Sequence, residues 1–313
     1  MSKNRFGYCC INLTLRKNES IQTNRTMRRK TFDTKGLGYT SSLAFDNTRD
    51  LLRILEWNAE NGFEVFRVTS TLFPWASEYQ WEELPNFEAI RENLRKAGEI
   101  ANRTGQRLSF HPGPFNCLAS PKKQIVDNCI RDLSIHGDIM DMLGMPRNHL
   151  AKINIHIGAA YGDRETALDT WCRNFEKLPE NVRTRLTVEN DDRPNLYSTK
   201  MLYDSVYKRL GVPIVFDSHH YACGPQDTSY EEAFLMAYDS WPSGIRPMCH
   251  HSNSKKKYED PTCKSIAAHS DYYYTPFDSC GKSVDVALEC KAKEIAVFDY
   301  LEQFENYKEM LAA

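Results

Sequence analysis

Short runs rich in β-branched and aromatic residues alternate with longer runs of helical periodicity from one end of the chain to the other. Eight of the short runs read as strands: residues 6–12, 64–70, 107–112, 152–158, 185–190, 213–219, 245–251 and 284–290. Between them apolar residues recur at helical spacing over 47–61, 87–104, 121–143, 165–178, 199–210, 230–238 and 293–311. Gly62, Gly105 and Gly144 stand directly behind the first three of these, where the left-handed turn that ends a helix favours glycine. Such alternation is the mark of βα units on a parallel sheet. Eight units in 313 residues fit one α/β domain over 1–313, a single (β/α)8 TIM barrel, and no linker, internal repeat or low-complexity tract marks a second domain. The longest aperiodic stretches, 13–45 and 252–283, each follow a strand. They are expected as loops on the C-terminal face of the strands, where barrel enzymes keep their active sites.

Composition narrows the class without choosing a function. Hydrophobic residues are 41% and charged residues 26%, which excludes a disordered, collagenous or coiled-coil chain. No apolar run approaches the roughly 18 residues needed to span a bilayer, and the first twenty residues lack a signal-peptide core. No membrane association is therefore expected, and the expected location is intracellular: cytoplasm or nucleoid, or nucleus in a eukaryote. Ten cysteines without a C-x-x-C pair read as reduced thiols, with Cys129 and Cys172 as small core residues. The net charge of -2 hides a basic end: Lys3, Arg5, Arg16, Lys17, Arg25, Arg28, Arg29, Lys30 and Lys35 face only Glu19 and Asp33 in residues 1–35. A second basic run is Lys255-Lys256-Lys257. Both runs fall in the two long loops, where they suit a phosphate backbone as well as a solvated surface.

The histidines bring the chemistry. His111, His156 and His250 end the third, fourth and seventh strands, Glu189 and Glu289 end the fifth and eighth, and Asp217 with His219-His220 ends the sixth. In a barrel those six ends meet on one face. So many ionisable groups in one bowl repel and desolvate one another unless a cation neutralises them, and mixed imidazole and carboxylate donors suit Zn²⁺, Mn²⁺ or Fe²⁺ better than Mg²⁺ or Ca²⁺. A polynuclear transition-metal site is expected. Strand alternation lets one member of each adjacent pair face inward, and His220 and His250 are favoured over His219 and His251. His136, in mid-helix, and His149, in a loop, read as packing or surface residues. Such a centre could cleave a phosphodiester or move a hydride in a sugar. The basic loops, with Tyr8, Phe32, Tyr39, Phe115 and Tyr221 available to stack on bases, favour the phosphodiester.

The segments RFGYCCINLTL (5–15), LSFHPGPFNCLASP (108–121), HIGAAYGDR (156–164), VENDD (188–192), VFDSHH (215–220) and LECKAKE (288–294) resemble the UV damage endonuclease family, in the family's order from about residue 5 to about residue 300. That resemblance implies a TIM barrel related to endonuclease IV, acting as a monomer on damaged double-stranded DNA. It implies three divalent ions, Mn²⁺ first, with Zn²⁺, Co²⁺ or Mg²⁺ as alternatives, and cleavage immediately 5′ to cyclobutane dimers and 6-4 photoproducts, with abasic sites as lesser substrates. Carried over residue by residue, Glu189 is the bridging catalytic glutamate, Asp217, His250 and Glu289 complete one metal, and His111 and His156 serve a second. His220 and His269 serve the third, with Asp271 nearby. Tyr8, Asn12, Pro114 and Phe115 are the lesion-contacting residues the resemblance implies. Two positions depart from the family: Pro114-Phe115 replaces a common Gln-Tyr, and Met248 stands where a modified lysine is frequent two residues before the seventh-strand histidine.

The expected reaction is metal-assisted hydrolysis with no protein nucleophile. The alternatives are a damage-binding protein that has lost catalysis and a metal-dependent sugar isomerase on the same fold.

Overall fold

The structure, a computed structural model, describes residues 4–305. Its eight strands all fall on the expected runs, trimmed, with β1 starting one residue earlier: β1 Arg5–Cys9, β2 Val65–Arg67, β3 Arg107–Ser109, β4 Ile153–Ile155, β5 Leu186–Glu189, β6 Ile214–Val215, β7 Met248–His251 and β8 Asp285–Leu288. All pairings are parallel, in a five-stranded sheet ordered β3-β2-β1-β8-β7 and a three-stranded sheet ordered β4-β5-β6. One parallel bridge stands at each junction, Phe110 to Ile153 and Asp217 to His250. The hydrogen bonds thus draw two parallel sheets joined by single bridges rather than one continuous ladder.

The strands alternate strictly. Phe6 and Tyr8, Phe66, Leu108 and Phe110, Ile153 and Ile155, and Leu186 and Val188 enter the main hydrophobic core with the helices. Val65, Val215 and Met248 lie on the opposite faces and pack with Trp241 as a small separate apolar cluster. Each fully buried side chain of this size is worth about 1.5–3 kcal/mol over an exposed one, so a one-residue slip of any strand is strongly disfavoured.

Each expected helix is present, and the main departure is at the start. Residues 13–45, expected as a loop, contain helices Leu13–Glu19 and Arg29–Glu60, so the helix foreseen from residue 47 begins much earlier. Its apolar pattern is hidden because the face buried as far as Asp50 is polar or small, with Thr40, Ser41, Ala44, Asn47, Thr48 and Asp50. Asn47 donates to the carbonyls of Arg25 and Leu72 at 3.0 Å each, which satisfies its amide inside the protein. Gly36, at φ 62 and ψ -163, kinks the helix where the periodicity fails. The basic residues 29–35 therefore ride on a helix. The 252–283 stretch is irregular apart from helix Lys255–Tyr258. The expected 293–311 helix is seen as Lys293–Phe304; positions beyond 305 lie outside the described residues. All ten cysteines are free thiols, and Cys129 and Cys172 are buried as expected. Among the described residues no helix is long and apolar enough to cross a membrane.

Candidate metal centre

Strand period places the chemistry. On β4 and its extension Lys152, Asn154 and His156 share one face, and the same parity aligns Ser109 with His111, Thr187 with Glu189, Val215 with Asp217, Met248 with His250 and Val65 with Arg67. The parallel register sets Arg67 opposite Cys9 and Ser109, Asn154 opposite Thr187, and Asp217 opposite His250.

Glu189, fully buried, is the hub. Its Oε2 lies 3.0 Å from His111 Nε2 and 3.1 Å from His250 Nδ1, and its Oε1 lies 3.1 Å from His220 Nδ1. Asn154 Nδ2 donates to Oε2 and is itself held by Thr187, whose hydroxyl donates to Asn154 Oδ1 at 2.7 Å. His250 Nδ1 is also 3.2 Å from Glu289 Oε1, while its Nε2 meets Lys152 Nζ at 3.1 Å. Arg67 pairs with Glu289. Asp217 caps helix Ser218–Cys223 with Oδ1, accepting the amides of His219 and His220 at 2.7 and 2.8 Å. Three sets of donor atoms lie close enough together to hold a cation: His111, His156 and Glu189; Glu189, Asp217 and His220; Asp217, His250 and Glu289. Glu189 Oε1, Asp217 Oδ2, His156 Nδ1 and His250 Nδ1 are buried without a hydrogen-bond partner. Buried polar atoms are seldom left so, and imidazole and carboxylate atoms left open on common points fit divalent transition ions.

The electrostatics of the metal-free centre agree. Burial lowers His111 to about 4 against the pull of Glu189. Burial acts the same way on His156 and His220 but is outweighed, by Glu189 and Asp191 at the first and by Asp217 and Glu189 at the second, so both are raised. Burial also disfavours charge on Glu189 and Glu289, yet His250, His156 and His111 around the one, and Arg67 and His250 around the other, hold both well below the usual carboxylate range. Imidazolium and guanidinium here do the neutralising that a divalent cation does when bound.

Seven of the eight expected ligands meet in these sets, in a different partition: His220 groups with Glu189 and Asp217, not with His269. His269 joins no set among the described residues; its ring is 6.4 Å from that of His220 and 5.4 Å from that of His219, and its Nδ1 is buried without a partner. Asp271 pairs with Lys255 at 3.0 Å. His219 and His220 are not on a strand, as expected, but in the first turn of a helix, which still sends them to different neighbours: His219 Nε2 meets the Ala267 carbonyl at 3.1 Å.

Tyr8 and Asn12 correct the expectation of a lesion contact. Both are buried, because β1 ends at Cys9 and the parity of Tyr8 turns it against Phe63 and Phe66, ring centroids 5.3 and 5.1 Å away. The Tyr8 hydroxyl donates to Asn58 Oδ1 at 2.6 Å and accepts from Asn12 Nδ2 at 2.8 Å, while Asn12 caps helix Leu13–Glu19. Tyr8→Phe will leave two buried amides short of a partner and cost about 1–3 kcal/mol in chemical denaturation. Pro114 and Phe115 are exposed, Phe115 by 67%. A cleft of about 370 Å³ opens between Pro114 and the centre, lined by Pro112, Cys117, His156, Asp192 and His220 among others. Met248 is fully buried in the apolar cluster. Arg67, Lys152 and Asn154 were missed by sequence reasoning, although their two-residue spacing from the strand-end donors, or their place at a strand end, was readable.

An α/β protein of parallel strands, with a buried histidine and carboxylate centre at the strand ends, is the class that fold and site define. The family model described as UV-endonuclease UvdE matches residues 4–312, and the chain belongs to that family. It is 33% identical over 315 residues to the UV-damage endonuclease of Schizosaccharomyces pombe, covering 97% of this chain, and it spans about half (51%) of that relative's length. It is 30% identical to the UV DNA damage endonuclease of Bacillus pumilus, over 82% of this chain and 80% of the relative. The solved structure of SacUVDE superimposes with a TM-score of 0.81 at 26% identity, covering 97% of this chain and 99% of that one. Endonuclease IV from Thermus thermophilus, at 15% identity, 98% and 99% coverage and a TM-score of 0.59, shares the TIM-barrel-like fold.

Proposed function

We propose that this chain is a metal-dependent UV-damage endonuclease, hydrolysing the phosphodiester immediately 5′ to cyclobutane dimers and 6-4 photoproducts in duplex DNA, and abasic sites less well. The observation that carries this is the convergence of His111, His156, Glu189, Asp217, His220, His250 and Glu289 on three donor sets in a chain of the UvdE family. On this reading the two sheets act as one closed (β/α)8 barrel and one domain, working as a monomer wherever the cell keeps its DNA.

When bound, divalent ions, Mn²⁺ first, would supply the charge that activates water and stabilises the phosphorus transition state. The chain's own residues hold and shape that centre. Glu189 and Asp217 each serve two donor sets, Asn154 and Thr187 fix the Glu189 carboxylate, and His269, with its open Nδ1, completes the His220 side. The cleft beside His156 and His220 gives room for an extruded nucleotide, and Phe115 at its rim wedges into the stack that is left. A photodimer stacks and pairs poorly, so turning it out costs less than the few kcal/mol of a normal base.

The test is a 5′-labelled duplex carrying one cyclobutane dimer, incubated with Mn²⁺ beside an undamaged duplex and a chelator control. One product ending just 5′ of the dimer, lost on chelation, is expected; no cut at any Mn²⁺ concentration, with dimer-selective binding kept, would replace the nuclease with a damage-binding protein. Phe115→Ala should weaken binding to the damaged duplex roughly tenfold, the scale of one base-aromatic contact. Its melting temperature should stay unchanged, because the ring is largely exposed.

A further inference from the structure

We propose that Arg67 is the resident counter-ion of one donor set, so that Asp217, His250 and Glu289 take up a divalent cation after the other two sets have filled. The inference rests on the metal-centre reading above.

Arg67 ends β2 with its guanidinium paired to Glu289 Oε1, the side chains only 14% and 10% exposed. That same oxygen is 3.2 Å from His250 Nδ1, so the cation already occupies the carboxylate that a metal would share with His250. A guanidinium does not deprotonate in a protein, so this charge persists at every working pH. Arg67 Nε is buried without a hydrogen-bond partner, and the head group is held by its pair with Glu289 with Cys10 beside it. Among the described residues no lysine or arginine lies within ion-pair distance of Glu189 or Asp217, whose nearest charged partners are histidines. A dication entering the His111 or His220 set therefore meets carboxylates without a permanent cation on them. One entering the Glu289 set must share its carboxylate with Arg67, and like charges a few ångströms apart in a buried site repel strongly. Both readily filled sets contain Glu189, so the centre assembles outward from the hub.

The order of filling can be read without DNA, by titrating the metal-free protein with Mn²⁺ and following the free ion by electron paramagnetic resonance and the heat by calorimetry. The parent should bind two equivalents roughly tenfold or more tighter than a third. Arg67→Gln should tighten the third toward the first two, Arg67→Lys should keep the order, and Glu289→Gln should lose the third while keeping two. Circular dichroism and melting of each variant show that it folds, and the Glu289 variant decides the matter if Arg67→Gln does not. Three equal equivalents in the parent, a third site unmoved or weakened in Arg67→Gln, or loss of a tight equivalent in Glu289→Gln would overturn the proposal alone. Absence of any Mn²⁺ binding would overturn the metal-centre reading and this inference with it.

Discussion

On the proposed function, Glu189→Gln will lower nicking of a dimer-containing duplex by on the order of 10³-fold or more, while dimer-selective binding persists. The scale is that of deleting a single preorganised electrostatic contact to a transition state, and Glu189 makes several. Its two oxygens meet three imidazoles from three parts of the fold, at 3.0 to 3.1 Å. Glutamine keeps the shape but removes the charge that two donor sets share, and it puts an N–H where an acceptor is needed. Electrophoresis of the cut strand beside a binding titration separates the two effects. Equal cleavage by variant and parent would remove Glu189 from the mechanism.

Lys152→Met will stabilise the metal-free protein at pH 7, and the gain will vanish in alkali. Lys152 is fully buried, and burial pushes its ammonium from 10.5 down to about 7, with Glu189 pulling up and Arg67 and Arg107 pushing down. The unfolded chain binds this proton up to about 10.5, whereas the folded chain releases it above about 7. The penalty on folding is therefore full below pH 7, and stability rises with pH between the two values as the penalty is lost. Methionine removes it. After allowing for the partner lost by His250 Nε2, the gain at pH 7 is about 3 kcal/mol, falling to nothing at about pH 9.5 and turning slightly negative by about 10.5. Urea denaturation at pH 7, 9 and 10.5 checks both size and sign; a variant less stable at pH 7, or a gap that widens with pH, would contradict the assignment.

The strand ends were legible because a parallel strand under helices reads as an apolar run, and a histidine or carboxylate closing such a run stands out. Glu189, Asp217, His250 and Glu289 were found in that way. Three things were not legible. The turn from β6 into helix Ser218–Cys223 depends on the Asp217 cap, so alternation was the wrong rule for His219 and His220 even though it favoured the one that joins the centre. As far as Asp50, helix Arg29–Glu60 buries hydroxyls, an amide, a carboxylate and alanine, which carry no apolar period. Tyr8 was misassigned because an aromatic near a strand end looks the same whether its parity turns it toward the helices or the centre. Only the register, with Gly7 against Val65 and Cys9 against Arg67, tells them apart.

Asp217 spends one oxygen on the amides of His219 and His220 and leaves the other open toward the centre. The same carboxylate is thus a latch for a helical turn and a donor, and the two duties are mechanically linked. A cation held there would brace the carboxylate and the turn with it, and without one the turn would be freer to fray. Amide hydrogen exchange at His219 and His220 will slow when Mn²⁺ is added, while amides on the outer helices such as Phe87–Thr104 stay as they were. Occupancy of the centre then becomes audible in the backbone of a single turn.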